Sequence, residues 1–337
     1  MVGKMQAALL TRYSKEFKVL LREIPIPEPS EQEILIRVKA AAVNPLDNLI
    51  GTGQVRLIQP FPMPVILGNE CSGVVERIGR AVKGFKPGDR VYTRLPLKKI
   101  GAFAEYVTVD SSAVAQMPSG YDFIPTAAIP LTGLTAYQGL VEELEVKPGS
   151  TLLITGGSGS FGQIAVPIAR AMGLRVIVTG NAQSQEKFIQ LGVERYIDYR
   201  QENYWESLSE IDYVIDTLGA TDFGRELSVL RKGGRLLSLR TGPNRLFAQR
   251  NHFSWWKREL FAVAGRKYDS TAEKQGKAYR FMFVRSDGAQ LKKVTEIVEQ
   301  NHIVPDIDPR IFSLSQVNEA LALVAKGGID GKVIVQI

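Results

Sequence analysis

Three glycines near the middle of the chain stand where a phosphate-bearing ligand would need them. The segment Thr151-Leu-Leu-Ile-Thr-Gly-Gly-Ser-Gly-Ser-Phe-Gly162 puts Gly157, Gly159 and Gly162 at G-x-G-x-x-G spacing. The apolar run before them, Thr151–Thr155, reads as a buried strand, and Gly162–Met172 after them reads as a helix that contains Pro167. In that setting each glycine has a physical task. One permits the tight turn, the second lets the backbone approach a pyrophosphate, and the third lets helix and strand pack closely. The helix start then offers free N–H groups to the phosphates. Ser158, Ser160 and Phe161 lie in the same turn and are expected contacts with the three glycines. A triphosphate loop would continue with Lys and Ser/Thr, whereas Gln163 and Ile164 follow here. A short-chain reductase would carry Tyr-x-x-x-Lys, and none of the 11 tyrosines has a lysine at that distance.

The next strand indicates which dinucleotide is bound. It ends Ile177-Val178-Thr179-Gly180-Asn181, with no carboxylate at its tip to bond a ribose 2′-hydroxyl. A 2′-phosphate would meet no repulsion there, and Ser184, Lys187, Tyr199 and Arg200 follow. The expectation is NADPH rather than NADH. The plainer reading of Lys187 and Arg200 is that they are solvated surface charges.

Composition narrows the rest. The chain has 337 residues, 45% hydrophobic and 23% charged, which excludes collagen-like and largely disordered classes and suggests two domains. Cys71 is the single cysteine, so an intrachain disulfide and any zinc site with two cysteine ligands are impossible. His252 and His302 are the only histidines. The net charge of +7 mildly favours anionic partners without implying nucleic acid. No stretch has the apolar length of a membrane span, and Met1–Leu10 lacks the pattern of a signal peptide. The expected location is the cytoplasm.

These residues need a scaffold, and the patterning supplies one. Short strands are expected at Gln6–Tyr13, Phe17–Glu23, Glu33–Ala42, Val65–Ile78, Gly88–Leu95, Phe103–Val109 and Ala113–Met117, punctuated by Pro and Gly, as in a small barrel or sandwich. From Leu131 onward strands alternate with helices. Strands are expected at Arg175–Thr179, Arg195–Ile197, Ile211–Thr217, Arg235–Leu239 and Leu260–Ala264, with helices at Gln183–Leu191 and Arg225–Leu230. Such alternation builds a parallel sheet. Helices are expected at Lys274–Val284, Gln290–Gln300 and Ser315–Lys326, and a last strand at Lys332–Ile337. The segment Phe247–Leu260 mixes aromatics with Arg and Lys. It reads as a packed helix with a solvated basic face, or as a lid, rather than as a nucleic-acid or membrane surface.

The sequence resembles the zinc-free medium-chain dehydrogenase/reductase superfamily, particularly its quinone oxidoreductase-like enzymes. The resemblance rests on ordered segments spread over nearly the whole chain: Ala41–Asp47, Leu67–Val75, Gly84–Tyr92, Pro130–Tyr137, the glycine turn, Asp216–Gly219 and Gly331–Val335. It implies an α/β protein with a GroES-like β-barrel domain and a Rossmann domain of doubly wound parallel sheet. The ranges it implies are 1–126, 127–267 and a return to the first domain over 268–337, with cofactor and substrate in the cleft between the domains. Zinc-dependent members carry His where this chain has Asn69, and their other catalytic ligands fall near Asn44 and Thr132. No metal is therefore expected, and Cys71 reads as a small buried residue. The implied reaction is hydride transfer from NADPH to a quinone or an α,β-unsaturated carbonyl, with Asn44, Asp47 and Thr132 lining the nicotinamide end.

The residues themselves give Asn44 a second role as a turn residue before Pro45, and Asp47 one at a helix start. By the same resemblance Gly180, Ser184, Tyr199, Thr217, Gly219 and Arg240 join the turn as cofactor contacts, Thr241 follows Arg240 at its strand end, and a homodimer is expected. Two departures stand out. Ser160 replaces a common glycine, and Leu49 stands where several quinone reductases have Tyr, which weakens the quinone reading relative to an enone or enal. An enoyl-thioester reductase and a non-catalytic NADPH-binding redox sensor are the alternatives.

Overall fold

The computed structural model describes residues 3–329 and 331–337. The chain divides into two compact units, one comprising the residues up to Leu134 together with Arg285–Ile337, the other Thr135–Val284.

The first unit is mostly β. Its strands are β1 (Lys4–Leu10), β2 (Leu20–Pro25), β3 (Glu33–Val43), β4 (Val65–Ile66), β5 (Glu70–Ile78), β6 (Arg90–Arg94), β7 (Tyr106–Asp110) and β8 (Val114–Gln116), with two more from the end of the chain. Helices α1 (Pro45–Gly51) and α2 (Phe123–Ala127) lie between them, and α3 (Pro130–Gln138) begins here. Strand β3 is the spine, because its apolar residues are buried along nearly its whole length. It pairs antiparallel with β5, with Ile36 opposite Val75, and with β7, with Ile36 opposite Val107. The expected strand over Val65–Ile78 is two. Val65–Ile66 pairs with β1, Glu70–Ile78 pairs with β3, and Gly68 at φ +101° turns between them. A side chain at Gly68 would press on the Phe103 backbone nitrogen at 2.6 Å, so only glycine makes this turn.

The second unit holds a six-stranded parallel sheet of β9 (Thr151–Thr155), β10 (Arg175–Gly180), β11 (Arg195–Asp198), β12 (Ile211–Asp216), β13 (Leu230–Ser238) and β14 (Ala278–Phe281). The connecting helices are α4 (Ser160–Ala171), α5 (Gln185–Gln190), α6 (Tyr204–Ser207), α7 (Phe223–Val229), α8 (Arg245–Arg250) and α9 (Trp255–Lys274). The spatial order β11-β10-β9-β12-β13-β14 reverses direction between β9 and β12. In sheets of this kind ligands bind beyond the carboxyl ends of the strands at that reversal, here just after Thr155 and Asp216.

Two expected elements are exchanged. Leu260–Ala264 is not a strand but part of α9, and the helix expected at Lys274–Val284 contains strand β14. Within α9, Phe261, Gly265 and Ala272 are buried while Leu260 and Val263 face solvent, a helical rather than an alternating period. In β14, Tyr279 and Phe281 alternate inward, and the strand pairs with β13 from Ala278 opposite Arg235 to Phe281 opposite Ser238. The chain therefore leaves the sheet after Phe281, and the second unit runs on to Val284 rather than ending at residue 267. It then forms α10 (Gly288–Gln300), β15 (Ile307–Ser313), α11 (Val317–Lys326) and β16 (Lys332–Gln336) in the first unit. Strand β16 pairs antiparallel with β3, Val335 opposite Ala41.

Phe247–Leu260 forms two packed helical pieces with an exposed side. Phe247 lies 5.1 Å from Phe281 and 6.1 Å from Phe261 between ring centres, while Trp255 is 77% exposed. Among the described residues no helix is long and apolar enough to cross a membrane. Phe247→Ala is expected to destabilise the protein by about 3–5 kcal/mol through the cavity it opens. Trp255→Ala should change stability by less than about 0.5 kcal/mol. Paired urea melts measure both, and equal losses would mean the exposed helix face is buried in solution.

Candidate functional site

The glycine turn hangs between the ends of two strands. The N–H of Gly156 donates to Thr179 Oγ1 at 3.0 Å and that of Gly157 to the Thr179 carbonyl at 2.9 Å. A side chain at Gly157 would meet Ile154 Cγ2 at 2.8 Å and Val178 Cγ1 at 3.0 Å, so this residue closes the turn onto the sheet. A side chain at Gly162 would overlap the Gly157 carbonyl oxygen, so the first turn of α4 reaches the strand end only without a Cβ. At Gly159 a Cβ would meet nothing within 4 Å. Gly159 is also the N-cap of α4 and, among the described residues, that end has no side-chain cap hydrogen bond. The amides of Ser160, Phe161 and Gly162 precede the first full helical bond, Gln163 N–H to the Gly159 carbonyl. The turn thus combines uncapped donors with open space beside the middle glycine, which suits a pyrophosphate.

Beyond β10, a Cβ at Gly180 would collide with the Tyr196 hydroxyl and the Ser158 side chain. Ser184 is tied down: its N–H and its hydroxyl both donate to Asn181 Oδ1, at 3.1 and 3.2 Å. The Tyr196 hydroxyl donates to the Asn181 carbonyl at 2.6 Å, and burial pushes its pKa above the usual tyrosine value. Tyr196 was not among the sequence candidates, because a tyrosine inside a short strand carries no signal of where its hydroxyl ends. Tyr199 is 56% exposed, with the Arg200 guanidinium 5.6 Å from its ring centre.

The end of β12 is organised by Asp216, fully buried. Its carboxylate accepts the N–H groups of Leu218 and Gly219 at 2.6 and 2.7 Å, and the hydroxyls of Ser238 and Thr241 at 2.5 and 3.1 Å. Ser238 Oγ in turn accepts the N–H groups of Arg240 and Thr241. Thr217 donates its hydroxyl back to the Thr155 carbonyl at 2.8 Å, locking the loop to β9. Gly219, at φ +99°, leaves its missing side-chain position 3.6 Å from Arg240 Cβ. Glu226 lies below, accepting from Thr155 Oγ1 at 2.6 Å. Burial, and then the charge of Asp216, push the Glu226 carboxyl up to about 9.

A second polar cluster lies in the first unit, between β3 and β5 and the start of α3. Asn44 caps α1, and Asp47 Oδ2 accepts the Asn44 N–H at 2.7 Å in a capping box. Asp47 Oδ1 accepts from Asn69 Nδ2, also at 2.7 Å. Burial pushes the Asp47 carboxyl up to about 7. The Asn44 amide is committed at both ends: Nδ2 donates to Glu70 Oε1 at 2.9 Å and to the Ala42 carbonyl at 3.3 Å, while Oδ1 accepts from Lys332 Nζ at 2.6 Å. Asn44 therefore ties β3, Glu70 and Lys332 together through both ends of its amide. Lys332 Nζ also donates to Thr132 Oγ1 at 3.2 Å and pairs with Glu70 Oε1 at 3.1 Å. Glu70 Oε2 accepts the Leu131 N–H at 2.7 Å.

Arg94 is wholly buried beside the two acids. Burial lowers its pKa to about 10, and Nε and Nη2, like Asn69 Oδ1, have no hydrogen-bond partner among the described residues. Cys71, next to Glu70, is buried, and its thiol is pushed up to about 12. Among the described residues no group of three or more His, Cys, Asp or Glu could hold a metal ion. Glu70, Arg94 and Lys332 are the members that the sequence reading missed. Glu70 and Lys332 stand inside the segments Leu67–Val75 and Gly331–Val335, but nothing local marks a strand-edge lysine as buried.

A family model described as an alcohol dehydrogenase GroES-like domain matches residues 30–119, and one described as a zinc-binding dehydrogenase matches residues 191–335. Among curated relatives, quinone oxidoreductase of Homo sapiens is 33% identical, covering 65% of this chain and 67% of its own. NADPH-dependent alkenal/one oxidoreductase of Arabidopsis thaliana, a chloroplastic protein, is 29% identical, covering 93% of this chain and 74% of its own. The 2-methylene-furan-3-one reductase of Solanum lycopersicum is also 29% identical, covering 99% and 79%. Among solved structures, the quinone oxidoreductase from Coxiella burnetii superposes with a TM-score of 0.83 at 25% identity, covering 99% of this chain and 100% of its own.

Two predictions follow from this geometry. Gly162→Ala should cost about 1–3 kcal/mol of stability through overpacking, whereas Gly159→Val should leave the melting temperature unchanged and abolish dinucleotide binding in a fluorescence titration. For Glu226 the folded value of about 9 lies above the usual 4.5, so its stabilising contribution is complete below pH 4.5 and lost as pH rises through 9. Glu226→Gln should therefore flatten the pH dependence of stability over that window and gain on the parent protein at the alkaline end, as read by urea melts across pH.

Proposed function

Because the chain belongs to the medium-chain dehydrogenase/reductase superfamily, in its quinone oxidoreductase-like branch, we propose that it is an NADPH-dependent reductase of quinones or α,β-unsaturated carbonyls. The observation that carries the reading is the uncapped start of α4 beside the open space at Gly159. When bound, NADPH supplies the hydride, and the protein's own task is to hold donor and acceptor in contact. Gly157, Ser158, Gly159, Ser160, Phe161 and Gly162 would take the diphosphate. Gly180, Ser184 and Tyr199, with Arg200, would surround the adenosine end, where the exposed ring and guanidinium suit an adenine and a 2′-phosphate. Thr217, Gly219 and Arg240 would border the nicotinamide side, and Asn44, Asp47 and Thr132 would form the acceptor end.

Zinc does not fit that acceptor end. Amides and a hydroxyl stand where a zinc site needs imidazole and thiolate, and the ammonium of Lys332 is already hydrogen-bonded to Asn44 and Thr132. A cationic group among such ligands opposes a second cation. The acceptor is then an already electron-poor alkene or quinone, since simple alcohol oxidation would lack its Lewis acid. Leu49 on α1 favours an aliphatic enone or enal over a quinone that needs a stacking ring. A homodimer working in the cytoplasm completes the proposal.

Mixing the purified protein with NADPH and a panel of quinones, enals and enoyl thioesters, and following NADPH absorbance, tests it. Turnover of enals or quinones, with NADPH preferred over NADH, is the expected outcome. Turnover confined to the thioesters would favour the enoyl-thioester reductase. Tight NADPH binding without turnover of any acceptor would favour a redox sensor.

A further inference from the structure

Lys332 is buried, and its side chain is only 7% exposed. An ammonium has three hydrogens to donate, and three oxygens stand around this one: Asn44 Oδ1 at 2.6 Å, Glu70 Oε1 at 3.1 Å and Thr132 Oγ1 at 3.2 Å. Its donors are spent inside the protein, so Lys332 does not reach outward. Asn44 is likewise committed at both ends of its amide. Thr132 is different. Its oxygen accepts from Lys332, so its own hydrogen must be directed at some other acceptor. An ammonium donating to that oxygen also makes the hydroxyl a stronger donor.

We propose that Lys332 is a positioning residue for the reduction: it fixes and polarises the Thr132 hydroxyl, which donates to the carbonyl oxygen of the acceptor as negative charge develops there. The inference rests on the reductase reading above. The step balances as follows. When bound, NADPH would supply the hydride, two electrons with the hydrogen nucleus, to the β-carbon of the unsaturated carbonyl and be left as NADP⁺. The π electrons shift to the carbonyl oxygen, giving an enolate that accepts the Thr132 hydrogen bond, and a solvent proton then adds to the α-carbon. Thr132 keeps its hydrogen throughout. The fixed cation behind it supplies electrostatic stabilisation that a metal ion would otherwise give, while Glu70 compensates the charge and makes its burial tolerable.

Steady-state kinetics of NADPH oxidation with crotonaldehyde, and with p-benzoquinone as a second acceptor, test the proposal. Thr132→Val should lower kcat by about 100-fold with the NADPH dissociation constant unchanged, and Thr132→Ser should restore most of the loss. Lys332→Met should lower kcat by a similar factor, Lys332→Arg should recover part of it, and the Lys332→Met/Thr132→Val double variant should be little worse than either single one. If Lys332→Met misfolds because Glu70 is left unpaired, Glu70→Gln/Lys332→Met removes both charges and takes its place in the same cycle. Losses that multiply in the double variant, or a kcat untouched by removing the lysine, would overturn the proposal. Lack of turnover by the parent protein with both acceptors would instead strike the reductase reading itself.

Discussion

A backbone oxygen, that of Gly157, occupies the place where a side chain at position 162 would begin. That contact decides how close the first turn of α4 can come to the end of β9, and the position of every amide at that helix start depends on it. With the helix start held there, the amides of Ser160, Phe161 and Gly162 crown a sheet whose strand order reverses at the same place. Asp216 performs the matching task one strand away. By accepting four donors it holds the 217–219 and 238–241 turns through one buried carboxylate.

The first unit solves a harder electrostatic problem. Glu70, Arg94, Asp47 and Lys332 are all buried within one small region, where each charge loses its hydration. The pairing of Lys332 with Glu70, and the saturation of the lysine by three oxygens, offset that loss for those two. Asp47 is less compensated, and its carboxyl is pushed up to about 7. Amides at Asn44 and Asn69 thread between these groups and orient them. Partly satisfied, such a buried polar cluster would be costly, and its hydrogen bonds fix which partner each group meets.

How much of this could be read along the chain varies with how local the cause is. The glycine turn was legible because the constraint lies within a dozen consecutive residues. The parallel sheet was legible through β13 because apolar runs alternate with helical ones. The exchange at the end of that sheet was not. Leu260–Ala264 is apolar enough for a strand, and only its continuation into the 20-residue helix Trp255–Lys274 overrides that preference. Conversely, Ala278–Phe281 extends because β13 offers it an edge, a partner that no window on residues 274–284 contains. Asn44 and Thr132 were visible as positions in recognisable segments, but what their side chains touch was not.

From the order of residues alone came the two-part architecture, the glycine-rich turn, the absence of a carboxylate at the tip of β10 and a single cysteine with no partner for an intrachain disulfide. Each follows from residue type and short-range spacing, which survive any arrangement of the rest. Tertiary structure alone decided that Lys332, 288 residues from Asn44, closes on it at 2.6 Å, and that Glu70 and Arg94 share its surroundings. The reason is geometric: β16 pairs with β3 across the whole length of the chain, and only that pairing carries a lysine from a terminal strand into a buried polar core.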